Sequence, residues 1–413
     1  MEMAADGVTD SPAAWRRLAL AVVASAIGGV GMWSVVVVLP AVEAEFGVAR
    51  AGAALPYSLT MIGFAFGGVL MGRLADRFGV AVPLALGAVA LALGYVLSAF
   101  ATGIVEFAAI QGLLIGMLGA SASFSPLLAD ITHWFERRRG FAVAICASGS
   151  YLAGTAWPPV VQHFVSTAGW RATHVGIGIF CLVTLLPLAI AMRRRVGVGP
   201  AIGAGAAPGG ALAAGAGLSP RALQALLVVA GLACCVAMAM PQVHIVAYCG
   251  DLGYGAARGA EMLSLMLGFG IISRIASGWV ADRIGGLSTL LLGSTLQGVA
   301  LFLYLWFDGL TSLYVISALF GLFQGGIVPS YALVVREFFP PGEAGTRVGV
   351  VIMATLFGMA LGGWMSGLIF DVTGSYGAAF VNGLGWNLLN VSIAAWLLQR
   401  RRRILARPDE VTS

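Results

Sequence analysis

One arginine stands alone inside an apolar stretch of this sequence. Arg274 interrupts "MLGFGIISRIASGWVADRIGG", and neither Gly270 at i−4 nor Gly278 at i+4 can neutralise it. A guanidinium stays charged, and its planar fork matches a carboxylate bidentately. A cation with no acid one turn away and with space left by Gly268, Gly270 and Gly278 therefore suits an anionic guest. The plainer alternative is a side chain that snorkels out of the stretch or meets an acid elsewhere in the fold. His244, in "PQVHIVAYCG", is the other candidate titrating group, because histidine switches charge near neutral pH. Its alternative role is that of an ordinary hydrogen bonder. Trp33, Tyr57, Tyr151, Gln324 and Tyr331 could complete an apolar pocket around a carboxylate or hydroxyl, with helix packing as the competing role of each.

Enzyme chemistry is not expected. The 23 basic residues are all arginine, so a phosphate loop ending in Gly-Lys-Ser/Thr cannot occur. No nucleophile stands with a base. The five cysteines (Cys146, Cys181, Cys234, Cys235 and Cys249) sit in apolar runs without metal spacing and read as small packers.

Composition tells what must position these groups. Apolar residues make up 59% of the chain, charged residues 10%, and the mean hydropathy is +0.94. A soluble domain carries roughly 25% charge, so lipid must cover this surface. A spanning helix needs roughly 20 apolar residues, and twelve such runs are legible: 17–41, 52–72, 80–101, 104–129, 139–164, 172–192, 221–249, 258–281, 287–307, 310–335, 346–370 and 376–399. The sixth and seventh are separated by 193–220, a Gly/Ala/Pro-rich segment without amphipathic period, expected to be a linker. The expected organisation is a tail 1–16, a six-helix bundle 17–192, the linker 193–220, a second bundle 221–399 and a tail 400–413. The acidic residues 1–14 do not form a signal-peptide start.

Charge sets the expected orientation. Nineteen arginines fall on the side of the termini, three (Arg50, Arg171, Arg258) on the opposite side, and Arg274 lies within the eighth run. The bias predicts cytoplasmic termini. The opposite side collects Glu43, Glu45, Glu106, Asp251, Glu261, Asp308 and Asp371. Because the arginines cluster in short loops rather than on a domain face, nucleic acid is not an expected partner.

The halves repeat. "GRLADRFG" (72–79) returns as "GWVADRIG" (278–285), a shift of 206 residues, and "FVSTAGWRA" from Phe164 resembles "FDVTGSYGA" from Phe370 at the same shift. Each octet links the second and third helices of its half. Gly72 and Gly278 would let helices approach closely. Asp76 and Asp282 could accept from a neighbouring helix N-terminus, and Arg77 and Arg283 could pair with those acids. The expected result is a polar latch that forms in one conformation and opens in another.

On these octets and halves, the chain resembles the major facilitator superfamily over nearly its whole length. The segments "HWFERRRGFAVAICASGS", "GWRATHVGIG" and the one running from Val243 to Gly286 resemble the monocarboxylate porter branch and its bacterial oxalate–formate exchanger relatives. The resemblance implies an all-α membrane protein, twelve transmembrane helices in two six-helix bundles, working by alternating access on small carboxylates. It also implies that Arg274 is the substrate-anion residue. The sequence departs from the pattern in several places. Val80 and Ala81 replace the basic residues after the first octet, and Gln111 precedes Gly112 without the fourth-helix arginine. The fifth-helix glycine–proline spacing differs. There is no acid one turn before Arg274, no lysine in the first helix, and Met353 stands nearest to the eleventh-helix lysine of the exchangers. One buried cation balances a monoanion better than a dianion.

The expected function is a secondary carrier for a small organic monocarboxylate in the plasma (inner) membrane. The expected partners are lipid, a small anionic solute, and a proton or counter-anion as the coupling species. The protein is expected to be a monomer without cofactor or metal. An efflux pump for hydrophobic compounds is the first alternative; a non-transporting sensor lacks an appended domain in the short tails.

Overall fold

A computed structural model describes residues 2–3, 9–196 and 219–405. The expected linker lies largely outside these residues. Twelve helical runs cross between two faces. In the first half they are α1 (Pro12–Phe46), α2 (Arg50–Phe78), α3 (Ala81–Ala99), α4 (Ile104–Trp134), α5 (Arg139–Ala168) and α6 (Trp170–Ala191). In the second they are α7 (Pro220–Asp251), α8 (Ala256–Ile284), α9 (Gly286–Trp306), α10 (Leu310–Phe338), α11 (Pro341–Thr373) and α12 (Tyr376–Leu405). Among the described residues, eleven of these are long and apolar enough to span a bilayer. The exception, α5, is 30 residues long but diluted by Ser148, Ser150, Tyr151, Thr155, Pro158 and Pro159. A two-residue parallel pairing, Glu2 with Arg195 and Met3 with Val196, adds to the helices expected from sequence.

Local chemistry sets the ends. Ser11 and Ser219 cap α1 and α7, each accepting from a backbone N–H three residues on and each followed by proline. The last glycine of each octet stops its helix: Gly79 and Gly285 have φ of 80° and 83°, a region that penalises any Cβ. Three runs are interrupted. α1 breaks at Gly29, α10 breaks at Gly325–Gly326, and α4 passes through a π-helical stretch, Gln111–Gly119, and a 3-10 turn, Ala120–Ser123.

The 206-residue repeat survives folding. α2 and α8 are both 29 residues long, and each end of α8 lies 206 residues after that of α2. Packing repeats with it: α1 on α5, α2 on α4 and α3 on α6 in one bundle, and α7 on α11, α8 on α10 and α9 on α12 in the other. Glycine makes the closest of these contacts. A Cβ on Gly63 or Gly67 would overlap the Gly112 or Met117 carbonyl of α4, and one on Gly321 or Gly325 would overlap the Met266 or Gly270 carbonyl of α8. Helices in lipid associate through such small-residue seams. The bundles meet along α2–α11 and α5–α8, a pair of interfaces that the 206-residue repeat exchanges.

Candidate substrate-binding site

Arg274 lies on α8 against α5. Its guanidinium carbon stands 4.3 Å from the centroid of the Tyr151 ring, and Nη1 donates to the Ala147 carbonyl at 3.1 Å. Nε is buried without a partner, and no acid pairs with the side chain among the described residues. Arginine carries five N–H donors, so most of this fork has no protein acceptor. Tyr151 is held in place by Gly270, where a Cβ would collide with its ring. One residue away, the Ser150 carbonyl accepts from Trp33 Nε1 of α1 at 3.2 Å, and a Cβ on Gly154 would lie 2.9 Å from that indole. The fold thus brings Arg274, Tyr151 and Trp33 together around the polar middle of α5.

The other expected lining residues go elsewhere. Tyr57 is buried on the α2–α11 seam, its ring beside Gly363, with no hydrogen-bond partner for its hydroxyl among the described residues. The Gly363 carbonyl faces His244 Nε2 at 2.8 Å, so His244 shares that seam; its Nδ1 is buried and unpartnered. Gln324 is fully buried on α10 and accepts from Gln242 Nε2 of α7 at 2.9 Å, leaving its own Nε2 free. Sequence reasoning missed Gln242, which follows Pro241 in an otherwise unremarked apolar run. Tyr331 corrects the expectation. Its hydroxyl donates to Asn390 Oδ1 at 2.6 Å, and Asn390 Nδ2 donates in turn to Ser294 Oγ at 2.8 Å. The group is bound into the interior of the second bundle, with no donor to spare for a guest. Asn387 and Asn390 of α12 both make interhelical hydrogen bonds, to Gln297 and Ser294 of α9.

The octets are open in this conformation. A Cβ on Gly72 or Gly278 would meet nothing within 4 Å, and Asp76 and Asp282 are exposed without a hydrogen bond or ion pair among the described residues. Arg77 and Arg283 do not pair with those acids. They stack on their own helices instead, over Phe78 at 5.2 Å and Trp279 at 3.4 Å. The acid that serves the second octet is Glu337 of α10: it accepts from Gly286 N, the first amide of α9, at 2.6 Å and pairs with Arg401 at 3.1 Å. Asp282 itself projects to the surface of α8 in this conformation.

Two further charge sites were not singled out from sequence. Arg17 of α1 forms a buried bidentate pair with Asp130 of α4 (2.7 and 2.9 Å) and lies over Trp134. Beside it, the Asp10 carboxylate accepts from the backbone N–H of Arg137 at 3.0 Å and of Glu136 at 3.3 Å, which holds its pKa below the ordinary carboxylate value. On the face opposite the termini all three arginines are paired: Arg171 with Glu45, Arg258 with Glu261, and Arg50 with Glu43 and Asp251.

Two six-helix halves with matched packing, gathered around two seams, form a known arrangement, and residues 21–314 and 262–413 match the family described as Major Facilitator Superfamily. The chain belongs to the Major Facilitator Superfamily. It is 31% identical over 324 residues to Monocarboxylate transporter 13 of Bos taurus, covering 76% of this chain and 73% of that protein. It is 28% identical over 325 residues to Monocarboxylate transporter 11 of Homo sapiens, covering 75% of this chain and 66% of that protein. Among solved structures, a bacterial homologue of the human lysosomal transporter Spinster, inward-facing and occupied, superposes with a TM-score of 0.75 at 12% identity, covering 95% of this chain and 98% of that one. The peptide transporter POT in complex with sulfate gives 0.73 at 14% identity, covering 97% of each chain. These last two likenesses concern the fold. As a superfamily member the protein is a multi-pass membrane transporter and not an enzyme.

Proposed function

We propose that this transporter carries a small organic monocarboxylate across the plasma (inner) membrane by alternating access, with Arg274 binding the carboxylate. The observation that carries the reading is the guanidinium fork of Arg274, stacked on Tyr151 with one backbone hydrogen bond and no acid. An uncompensated cation in a spanning helix costs about 2.5–3.5 kcal/mol on insertion scales, and a bound anion offsets that cost. Similarity to monocarboxylate transporters supports the same substrate class. A single cation favours a monoanion.

On this reading Tyr151 and Trp33 form the wall behind the carboxylate, and Gln324 offers its unpartnered Nε2 to the rest of the solute. The octets act as the latch of the face that bears the termini, the cytoplasmic one by the arginine bias. Their acids and arginines are disengaged here, which fits a carrier with that face released. A proton or a counter-anion supplies the driving force, with His244 the buried titratable candidate; the protein acts as a monomer. Efflux of hydrophobic compounds is less well supported. An apolar groove of about 540 Å³, lined by Trp157, Phe164 and Phe180 among others, lies between α5 and α6 within one bundle rather than between the bundles.

The test is uptake by proteoliposomes of a panel of small carboxylates, with and without a pH gradient, for the parent protein and Arg274→Ala. Saturable uptake that disappears in the variant supports the reading. Uptake of carboxylates with unchanged KM in the variant removes it.

A further inference from the structure

The face opposite the termini carries a charged cluster between the bundles, and the repeat reveals how that cluster arose. In the first bundle, Glu45 near the end of α1 is paired by residues at the start of α6. Trp170 Nε1 donates to Oε2, and Arg171 donates through Nε to Oε1 at 2.8 Å. A step of 206 residues carries Glu45 to Asp251, Trp170 to Tyr376 and Arg171 to Gly377. The second bundle therefore keeps the acid and the aromatic ring but lacks the arginine. Arg50, from the other bundle, fills the gap.

Arg50 Nη2 lies 3.2 Å from Asp251, Nη1 donates to Tyr376 Oη at 2.5 Å, and the guanidinium carbon is 4.8 Å from the Phe370 ring centroid. Its Nε forms an ion pair with Glu43 at 2.8 Å. Asp371 of α11 adds a second tie, accepting from the backbone N–H of Arg50 and of Ala51 at 2.8 Å each, at the N-terminus of α2. The other recorded ion pairs among the described residues (Arg17–Asp130, Arg171–Glu45, Arg258–Glu261, Arg347–Glu343 and Arg401–Glu337) each stay within a bundle.

Below this cluster α11 offers two glycine faces. Gly358 and Gly362 press on the Leu232 and Val236 carbonyls of α7 in the same bundle. Gly363 and Gly367 press on α2 of the other: a Cβ at Gly367 would lie 2.9 Å from Arg50 O and from Ala51 N, and one at Gly363 would lie 3.1 Å from the Tyr57 ring. Ser58 Oγ donates to the Ala360 carbonyl at 2.6 Å along the same line. The seam runs from the cluster down to Tyr57.

We propose that Arg50, Asp251, Asp371 and Tyr376, with the Gly363/Gly367 seam beneath them, form the gate of the face opposite the termini, and that the gate exists because the second bundle has Gly377 where the first has Arg171. An arginine supplied by the other bundle turns an internal pair into a bond between bundles. Opening this face then requires Arg50 to leave Asp251, and α2 to leave Gly367. The proposal rests on alternating access but not on the Arg274 anion site, and its test uses no substrate.

The test is a spin-label distance between Ala49→Cys and Ser375→Cys, both exposed at this face, in purified full-length protein without substrate; the native cysteines are all buried. The deciding variant is Gly377→Arg, at a position where an added Cβ meets only Ser375 Oγ, 3.2 Å away. It restores the missing arginine, which competes for Asp251, so the distance distribution shifts outward by several ångström. Asp371→Asn and Gly367→Ala shift it the same way, and Arg258→Ala, which breaks a pair inside one bundle, leaves it in place. A parent-like distribution in both Gly377→Arg and Asp371→Asn overturns the proposal, as does an equal shift in Arg258→Ala. The readout needs no substrate and Arg274 is left intact throughout, so failure of the gate and failure of the anion site are read separately.

Discussion

Replacing Arg274 with alanine separates binding from folding. The guanidinium has one backbone acceptor at 3.1 Å and a ring face at 4.3 Å, with no acid among the described residues. A bound carboxylate would add two charge-assisted hydrogen bonds, each worth about 1.5–3 kcal/mol. Their loss, about 3–6 kcal/mol, corresponds to roughly two to four orders of magnitude in Kd. The same change removes an under-solvated cation from a spanning helix, so the empty variant keeps the parent's thermal stability or exceeds it. Arg274→Lys retains charge but not the fork, and loses roughly one to two orders of magnitude in Kd. Tyr151→Phe keeps the ring beneath the cation and stays near the parent. Tyr151→Leu removes a cation–π contact of about 0.5–2 kcal/mol. The assays are substrate exchange in proteoliposomes, for KM and rate, and ligand-induced shifts in melting temperature, for Kd. Arg274→Ala protein that is folded, and whose melting temperature responds to carboxylates as the parent's does, would refute the reasoning.

Other perturbations probe the rest of the molecule. Asp130→Ala strands the buried Arg17 charge and lowers stability by about 3–5 kcal/mol, while the double change Arg17→Met/Asp130→Leu recovers most of it; thermal melts in detergent decide, and equal losses in both proteins contradict the buried-pair argument. Asp10 has a folded-state pKa below its unfolded one, chiefly because it accepts from the Arg137 amide, so its stabilising contact is complete above about pH 3.9 and fades as pH falls through the lower folded value. Hydrogen exchange at residues 136–137 should accelerate in that acid range in the parent, and at neutral pH in Asp10→Ala. Where an inward proton gradient stimulates uptake, His244→Gln is expected to remove the stimulation and leave exchange intact; a preserved gradient response excludes His244 as the proton carrier.

The membrane class and the two halves were legible in the chain because each depends on local composition, whereas α1, α2 and α11 run on past the expected spans 17–41, 52–72 and 346–370 to Phe46, Phe78 and Thr373. Apolar length sets a spanning helix, and Gly79 and Gly285 end α2 and α8 because the required φ belongs to glycine. Even the 206-residue step between α2 and α8 could be read from the octets alone. Arg274 stood out for the same reason: its isolation is visible within one turn of helix either way. Partnership across helices was not legible. Arg50 meets Asp251, Asp371 and Tyr376 at separations of 201, 321 and 326 residues, and nothing local distinguishes it from Arg171 or Arg258. Tyr331 read as a cavity residue until folding brought Asn390 to its hydroxyl. Sequence thus determined which segments enter lipid, since a transfer free energy sums over neighbours along the chain. The tertiary structure decided which polar group faces which, because a buried hydrogen bond or ion pair depends on side chains from distant helices meeting within about 3 Å.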